Sequence, residues 1–76
     1  MADATLDARG LKCPLPVLKA RKALKALPGG AELEVLATDR GAPADFAAFC
    51  RTTGNELAVT EVVGGVFRFV LRKTGR

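Results

Sequence analysis

Pro14 and Pro16 fix where this chain can begin its first helix, and a cysteine stands directly before them. Neither proline carries a backbone N–H. Each is therefore tolerated in the first turn of a helix, where the donors have no intrahelical partner anyway. The run Gly10-Leu11-Lys12-Cys13-Pro14-Leu15-Pro16 reads as a loop that ends in a helix start. A thiol at that junction meets the positive end of the helix dipole and nearby unpaired N–H groups, which favour the thiolate. The sequence thus predicts a Cys13 thiol more acidic than that of a free cysteine. Because the two prolines cannot donate, the first-turn donors left beside the sulfur are the N–H groups of Leu15 and Val17. Lys12 and Lys19 add positive charge nearby.

The rest of the chain alternates between two periodicities. Ala4 to Ala8 reads as a short strand ending at Arg9-Gly10. From Pro14 to about Leu27, Val17, Ala20, Leu24 and Leu27 recur at steps of three and four and form one helical stripe. Lys19, Arg21, Lys22 and Lys25 fall on the exposed side, and Pro28-Gly29-Gly30 stops the helix. Glu32 to Thr38 alternates as a second strand, followed by a turn through Pro43. A second helix is expected over roughly Ala44 to Thr53, with Phe46, Phe49 and Cys50 on one face and Gly54 just past its end. Glu56–Val63 and Val66–Lys73 read as a hairpin around Gly64-Gly65, with Phe67, Phe69 and Leu71 on one face of the last strand.

The order is β-α-β-α-β-β. Right-handed crossovers put both helices on one face of a four-stranded mixed sheet, an α+β, two-layer sandwich. The first two strands then run parallel. Their C-terminal ends and both helix N-termini share one edge of the sheet, the edge at which open α/β sheets usually carry function. Cys13 and the Asp39–Asp45 segment both belong to that edge. The opposite sheet face is left either exposed or packed on a partner.

Seventy-six residues, nearly half of them apolar, make one small domain over residues 1–76, with its core over about 5–74. No apolar run reaches the ~18 residues of a membrane span. The N-terminus lacks the pattern of a secretory signal, so the expected compartment is the cytoplasm. The chain has no histidine, which excludes imidazole triads, histidine metal sites and histidine pH switches. Cys13 and Cys50 form neither a C-x-x-C pair nor a zinc-ligand set. No metal or cofactor is expected.

Cys13, at a loop–helix junction off the apolar stripe, is the candidate functional residue. The bland alternative is a small buried apolar side chain. Cys50 is expected in the core, the alternative being a resolving cysteine for Cys13. Asp39 and Asp45 are expected to cap the second helix and its loop. The alternative is that they orient a partner or a cation beside Cys13. The net charge of +4 and the basic helix face fit either a solvated surface or contact with phosphates or an acidic partner. All four phenylalanines fit core positions, so direct nucleic-acid binding is not expected.

The stretch Leu6-Asp7-Ala8-Arg9-Gly10-Leu11-Lys12-Cys13-Pro14-Leu15-Pro16 and the basic helix after it resemble the TusA (SirA-like) family of sulfur carriers. Asp39, Asp45, Phe49-Cys50 and the closing hairpin agree with it. The resemblance implies a β-α-β-α-β-β sandwich and a persulfide on Cys13, with Lys12, Pro14, Pro16, Asp39 and Asp45 supporting it. It implies a cysteine desulfurase or rhodanese-like protein as sulfur donor and a relay protein as acceptor. A carrier that two partners reach in turn is expected to be a co-substrate rather than a stand-alone enzyme; an exposed sheet face or edge could support a dimer, and a monomer is assumed. Destinations in the family include tRNA thiolation, molybdenum cofactor maturation and sulfur oxidation. The turn Arg40-Gly41-Ala42-Pro43-Ala44 departs from the tRNA-pathway pattern, which has a proline directly after the residue matching Asp39 and an arginine at the place of Ala44. The rival readings are a thiol redox sensor pairing Cys13 with Cys50 and a basic nucleic-acid-binding module.

Overall fold

The computed structural model describes residues 3–74. The elements follow the order β1 (Ala4–Ala8), α1 (Leu15–Lys25), β2 (Glu32–Ala37), α2 (Ala42–Thr53), β3 (Glu56–Val63) and β4 (Val66–Arg72). They build a two-layer α+β sandwich with a mixed sheet in the order β1-β2-β4-β3. β1 runs parallel to β2, from Ala4 opposite Leu33 to Ala8 opposite Ala37. β4 is antiparallel to both β2 and β3, and thus lies between the two strands that α2 connects. Its central place matches its composition: Phe69, Val70 and Leu71 are all buried, so β4 is covered on both faces.

Two element ends differ by two residues from the sequence-based expectation, each for a local reason, while the α1 start and the β2 and β4 ends differ by one. α1 stops at Lys25, two residues before Leu27, because the residue before a proline is pushed out of the helical region and Pro28 follows Leu27. The chain leaves in tightened turns, with Ala26 donating to the Ala23 carbonyl and Leu27 to that of Leu24. α2 starts at Ala42, two residues early. Pro43 suits its first turn, and Asp39 takes up the N–H groups of both Gly41 and Ala42. α2 ends as its sequence suggests, on left-handed Gly54 (φ 80°), whose N–H reaches the Cys50 carbonyl at 2.9 Å. The β3–β4 turn uses Gly64 and Gly65 with φ of 56° and 78°, the positive pair that a two-residue hairpin needs.

The core lies between the helices and one sheet face. Ala20 and Leu24 of α1 and Phe46 and Cys50 of α2 pack on Leu33, Val35, Ala37, Phe69 and Leu71. Phe46 stacks on Phe69 with ring centroids 4.6 Å apart. The opposite face is covered by the sheet's own charged side chains. Arg68 bridges Glu34 and Glu61, Thr5 donates to Glu34, and Arg72 bridges Glu32 at 2.9 Å and Glu56 at 3.0 Å. These contacts tie all four strands together and leave a polar outer surface. The geometry therefore gives both helices to one layer and brings the N-termini of α1 and α2 to the same sheet edge.

Candidate functional site

The site is assembled from the loops that leave β1 and β2. After β1, Asp7 and Arg9 pair at 2.8 Å, and this contact holds the Asp7 carboxyl down at about 2. Gly10, at φ 80°, turns the chain and donates its N–H to Thr38 Oγ1 at the end of β2, 2.9 Å away. This bond clamps the Cys13 loop to the neighbouring parallel strand. The chain then passes Lys12, whose carbonyl accepts the Leu15 N–H at 2.8 Å, and enters α1 through a cis Cys13–Pro14 bond. Pro16 is fully buried and anchors the first turn, while Lys12, Cys13 and Pro14 stay exposed. The prolines therefore do what the sequence predicts: they fix a rigid start to α1 and leave the sulfur on the surface.

The other half comes from the loop between β2 and α2. Asp39 Oδ2 accepts the Gly41 N–H at 2.9 Å, a local turn bond that holds its carboxylate in place. Asp45 lies one turn into α2, and its Oδ2 accepts a hydrogen bond from Cys13 Sγ. Gly41 sits between the two loops. A Cβ there would lie 3.0 Å from Asp39 Oδ2, 3.6 Å from the Cys13 Cβ and 3.8 Å from Asp45 Oδ2.

This geometry corrects three expectations. Asp45 does not cap α2; the helix start has no side-chain cap, and the Asp45 side chain reaches across to the sulfur instead. The Leu15 N–H is not free for an anion, since it is spent on the Lys12 carbonyl. Most consequentially, Cys13 is not a more acidic thiol. The hydrogen bond to Asp45 pushes its pKa up, with desolvation and the charges of Asp45 and Asp39 acting in the same direction. The helix-dipole argument loses because a carboxylate in direct contact outweighs the partial charge of a helix end.

Cys50 lies in the core at 6% exposure, as expected, and burial pushes its thiol pKa up as well. Both cysteines are free thiols, one exposed and one buried. Beside the sulfur a groove of about 390 Å³ runs between α1 and α2, walled by Pro14, Val17, Arg21, Asp45 and Phe49 among others. The basic side chains of α1 divide between two sides. Arg21 and Lys25 border the space toward α2, whereas Lys19 and Lys22 flank the opposite side with Leu6. Leu15 and Leu18 are 45% and 51% exposed, an apolar surface on the turn that follows Cys13. The sequence reading missed Gly41 as a site residue and placed Phe49 simply in the core. No local signal marks either role, because Gly41 meets Cys13 and Phe49 shares the groove with Pro14, Val17 and Arg21 only once α1 and α2 pack side by side. Among the described residues no group of three or more His, Cys, Asp or Glu side chains is placed to hold a metal ion.

The family model described as "Sulfurtransferase TusA" matches residues 4–73, which include Cys13, Asp39 and Asp45. The chain belongs to the TusA family. A "Sulfur carrier protein TusA" of Allochromatium vinosum is 50% identical over 72 residues, covering 95% of this chain and 95% of that protein. A second protein of that name, from Pseudomonas entomophila, is 41% identical over 71 residues, covering 93% of this chain and 89% of its own. Among solved structures, the crystal structure of a SirA-like protein from Desulfitobacterium hafniense superposes with a TM-score of 0.80 at 27% identity, covering 96% of this chain and 99% of that one. The TusA family fold is thus the two-layer arrangement seen here, and the Cys13 loop and the Asp39–Asp45 segment lie within the matched region.

Proposed function

We propose that this chain is a sulfur carrier that accepts sulfane sulfur on Cys13 Sγ as a persulfide and passes it to an acceptor protein. The observation that carries this reading is the exposed thiol on a short loop, pinned by the Gly10–Thr38 bond behind it and by buried Pro16 ahead of it. A carrier must offer one atom to two large partners in turn. A protruding thiol on a rigid support suits that task, and a deep pocket would not. The names of the TusA-family relatives support the same role.

In the loading step the Cys13 sulfur attacks the outer sulfur of a donor persulfide. The bond between the donor's two sulfurs breaks, and its electron pair stays on the donor as a thiolate. In the unloading step an acceptor thiolate attacks the outer sulfur on Cys13, and the electron pair returns to Cys13 Sγ. Each step exchanges one S–S bond for another and needs no external oxidant. The chain is a co-substrate of its partners rather than a stand-alone enzyme. It acts as a monomer in the cytoplasm, with a cysteine desulfurase or rhodanese-like protein as donor and a relay protein as acceptor. Pro14 and Pro16 fix the sulfur's support, Lys12 adds an exposed cation for docking, and Asp39 and Asp45 flank the thiol. The acceptor decides the pathway, whether tRNA thiolation, molybdenum cofactor maturation or sulfur oxidation. No helix among the described residues is long and apolar enough to cross a membrane.

The test is intact-protein mass after incubation with a cysteine desulfurase and cysteine, or with thiosulfate and a rhodanese. The expected result is added mass of one sulfur atom that reductant removes and that Cys13→Ser lacks. Absence of the adduct with both donors refutes the reading. Cys50→Ser is expected to load normally, which would set aside the redox-sensor alternative.

A further inference from the structure

The site holds a contradiction for a nucleophile. The sulfur is exposed, yet its one hydrogen bond among the described residues goes to a carboxylate. A carboxylate can only accept, so the contact exists only while Cys13 carries its proton. Ionising Cys13 converts that hydrogen bond into two like charges in contact. Asp39 adds a second carboxylate, and the Gly41 N–H keeps it from swinging away. Gly41 packs closely on this carboxylate: a Cβ there would stand 3.0 Å from Asp39 Oδ2, tighter than ordinary contact, and at an ordinary 3.6 Å from the Cys13 Cβ.

The charged groups on every element around the sulfur complete the picture. The loop before α1 brings Lys12, α1 brings Arg21 on the groove wall, the loop after β2 brings Asp39 and Arg40, and α2 brings Asp45. Among the described residues, neither Asp39 nor Asp45 forms an ion pair with any of these cations. Arg9, Arg68 and Arg72, by contrast, are all paired with other carboxylates. The acidic pair beside the thiol is therefore left without a counter-charge, although the chain as a whole is basic at +4.

We propose that Asp45 guards Cys13, holding it as the thiol in the free carrier, and that a partner protein frees the thiolate by bringing a lysine or arginine side chain onto the Asp39–Asp45 pair. This deepens the carrier reading and rests on it. The guard solves a problem that exposure creates: a standing thiolate would be consumed by oxidants and small disulfides before a donor arrived. When the partner's cation binds Asp45, the carboxylate gives up its hydrogen bond, the Cys13 proton passes to solvent, and the freed electron pair attacks the donor's outer sulfur. The thiolate left on the donor takes up a proton, so charge and atoms balance across the exchange. Asp45 also walls the groove between α1 and α2, so a segment docked there meets it directly.

The experiment is the pH profile of Cys13 alkylation by iodoacetamide, an uncharged probe, on the full chain. Asp45→Asn is expected to move the midpoint down and raise the rate at neutral pH several-fold. Asp39→Asn should move it the same way by less, and Asp45→Glu should restore the wild-type profile. An unmoved or raised midpoint in Asp45→Asn overturns the guard. Should Asp45→Asn lose its fold by circular dichroism, Asp39→Asn decides by the same criterion. The partner's part is read from sulfur transfer out of a persulfidated desulfurase. Transfer to Asp45→Asn should gain less than alkylation does and depend less on salt than transfer to wild type. Equal gains in both reactions overturn the partner's cation. Persulfide loading of the wild type tests the carrier reading separately, and its failure leaves the alkylation profile to decide the guard.

Discussion

Replacing Phe46 is expected to show how the core holds the site. Phe46 follows Asp45 directly, is fully buried, and stacks on Phe69 at 4.6 Å with an interplanar angle of 30°. Its ring is the main side chain by which α2 is seated on the sheet. Removing a buried ring to alanine costs about 3–5 kcal/mol in lost transfer energy and an unfilled cavity. A domain of 76 residues has about 4–11 kcal/mol in total, at roughly 0.05–0.15 kcal/mol per residue. Phe46→Ala should therefore leave the protein at the margin of folding. Phe46→Leu fills most of the space and should cost about 1–2 kcal/mol. At about 4–8 °C per kcal/mol for a domain of this size, the melting temperature falls by about 4–16 °C. The assay is urea and thermal unfolding followed by circular dichroism, with an unchanged urea slope confirming that stability alone has moved. Phe49→Leu, at the half-buried groove wall, is the control and should cost less. A Phe46→Leu value within about 0.5 kcal/mol of wild type, the range of ordinary surface changes, would refute the argument that this ring seats α2.

Other outcomes follow from the same structure. Asp7 titrates at about 2 because Arg9 bonds its carboxylate. Its folded pKa is below its unfolded one, so its contribution to stability is present above the ordinary carboxyl range and is lost as pH falls through about 2. NMR titration of Arg9→Gln should show Asp7 returning toward the ordinary carboxylate value, and an unmoved Asp7 would rule out the pair as the cause. Cys50 should resist alkylation in the native protein and react only on unfolding, as mass spectrometry of modified peptides can read; rapid native modification would contradict its burial. Gly41→Ala should fold, since its φ of −79° suits any residue, but it should slow persulfide loading because the new methyl presses on the Asp39 carboxylate. Loading at the wild-type rate would show that this close approach is dispensable. Arg68→Met and Arg72→Met should lower the melting temperature at low salt, with the difference shrinking as salt rises. A loss that ignores salt would point to packing instead.

Much of this protein was determined by local sequence. The two prolines set the start of α1, alternation set the strands, Gly64-Gly65 set the hairpin, and chain order with right-handed crossovers put both helix N-termini at one edge. The C-P-x-P run by itself marks Cys13. Local signals could not say that β4 would lie between β2 and β3, because strand order depends on which faces are buried across the whole sheet. They could not say that the outer face would close over itself with Arg68 and Arg72, since those ion pairs join residues far apart in the chain. Above all, they gave the wrong sign for the Cys13 thiol. A helix N-terminus is visible in sequence because it is local. The carboxylate that overrides it lies 32 residues further along, and only the packing of α2 beside α1 brings Asp45 to the sulfur.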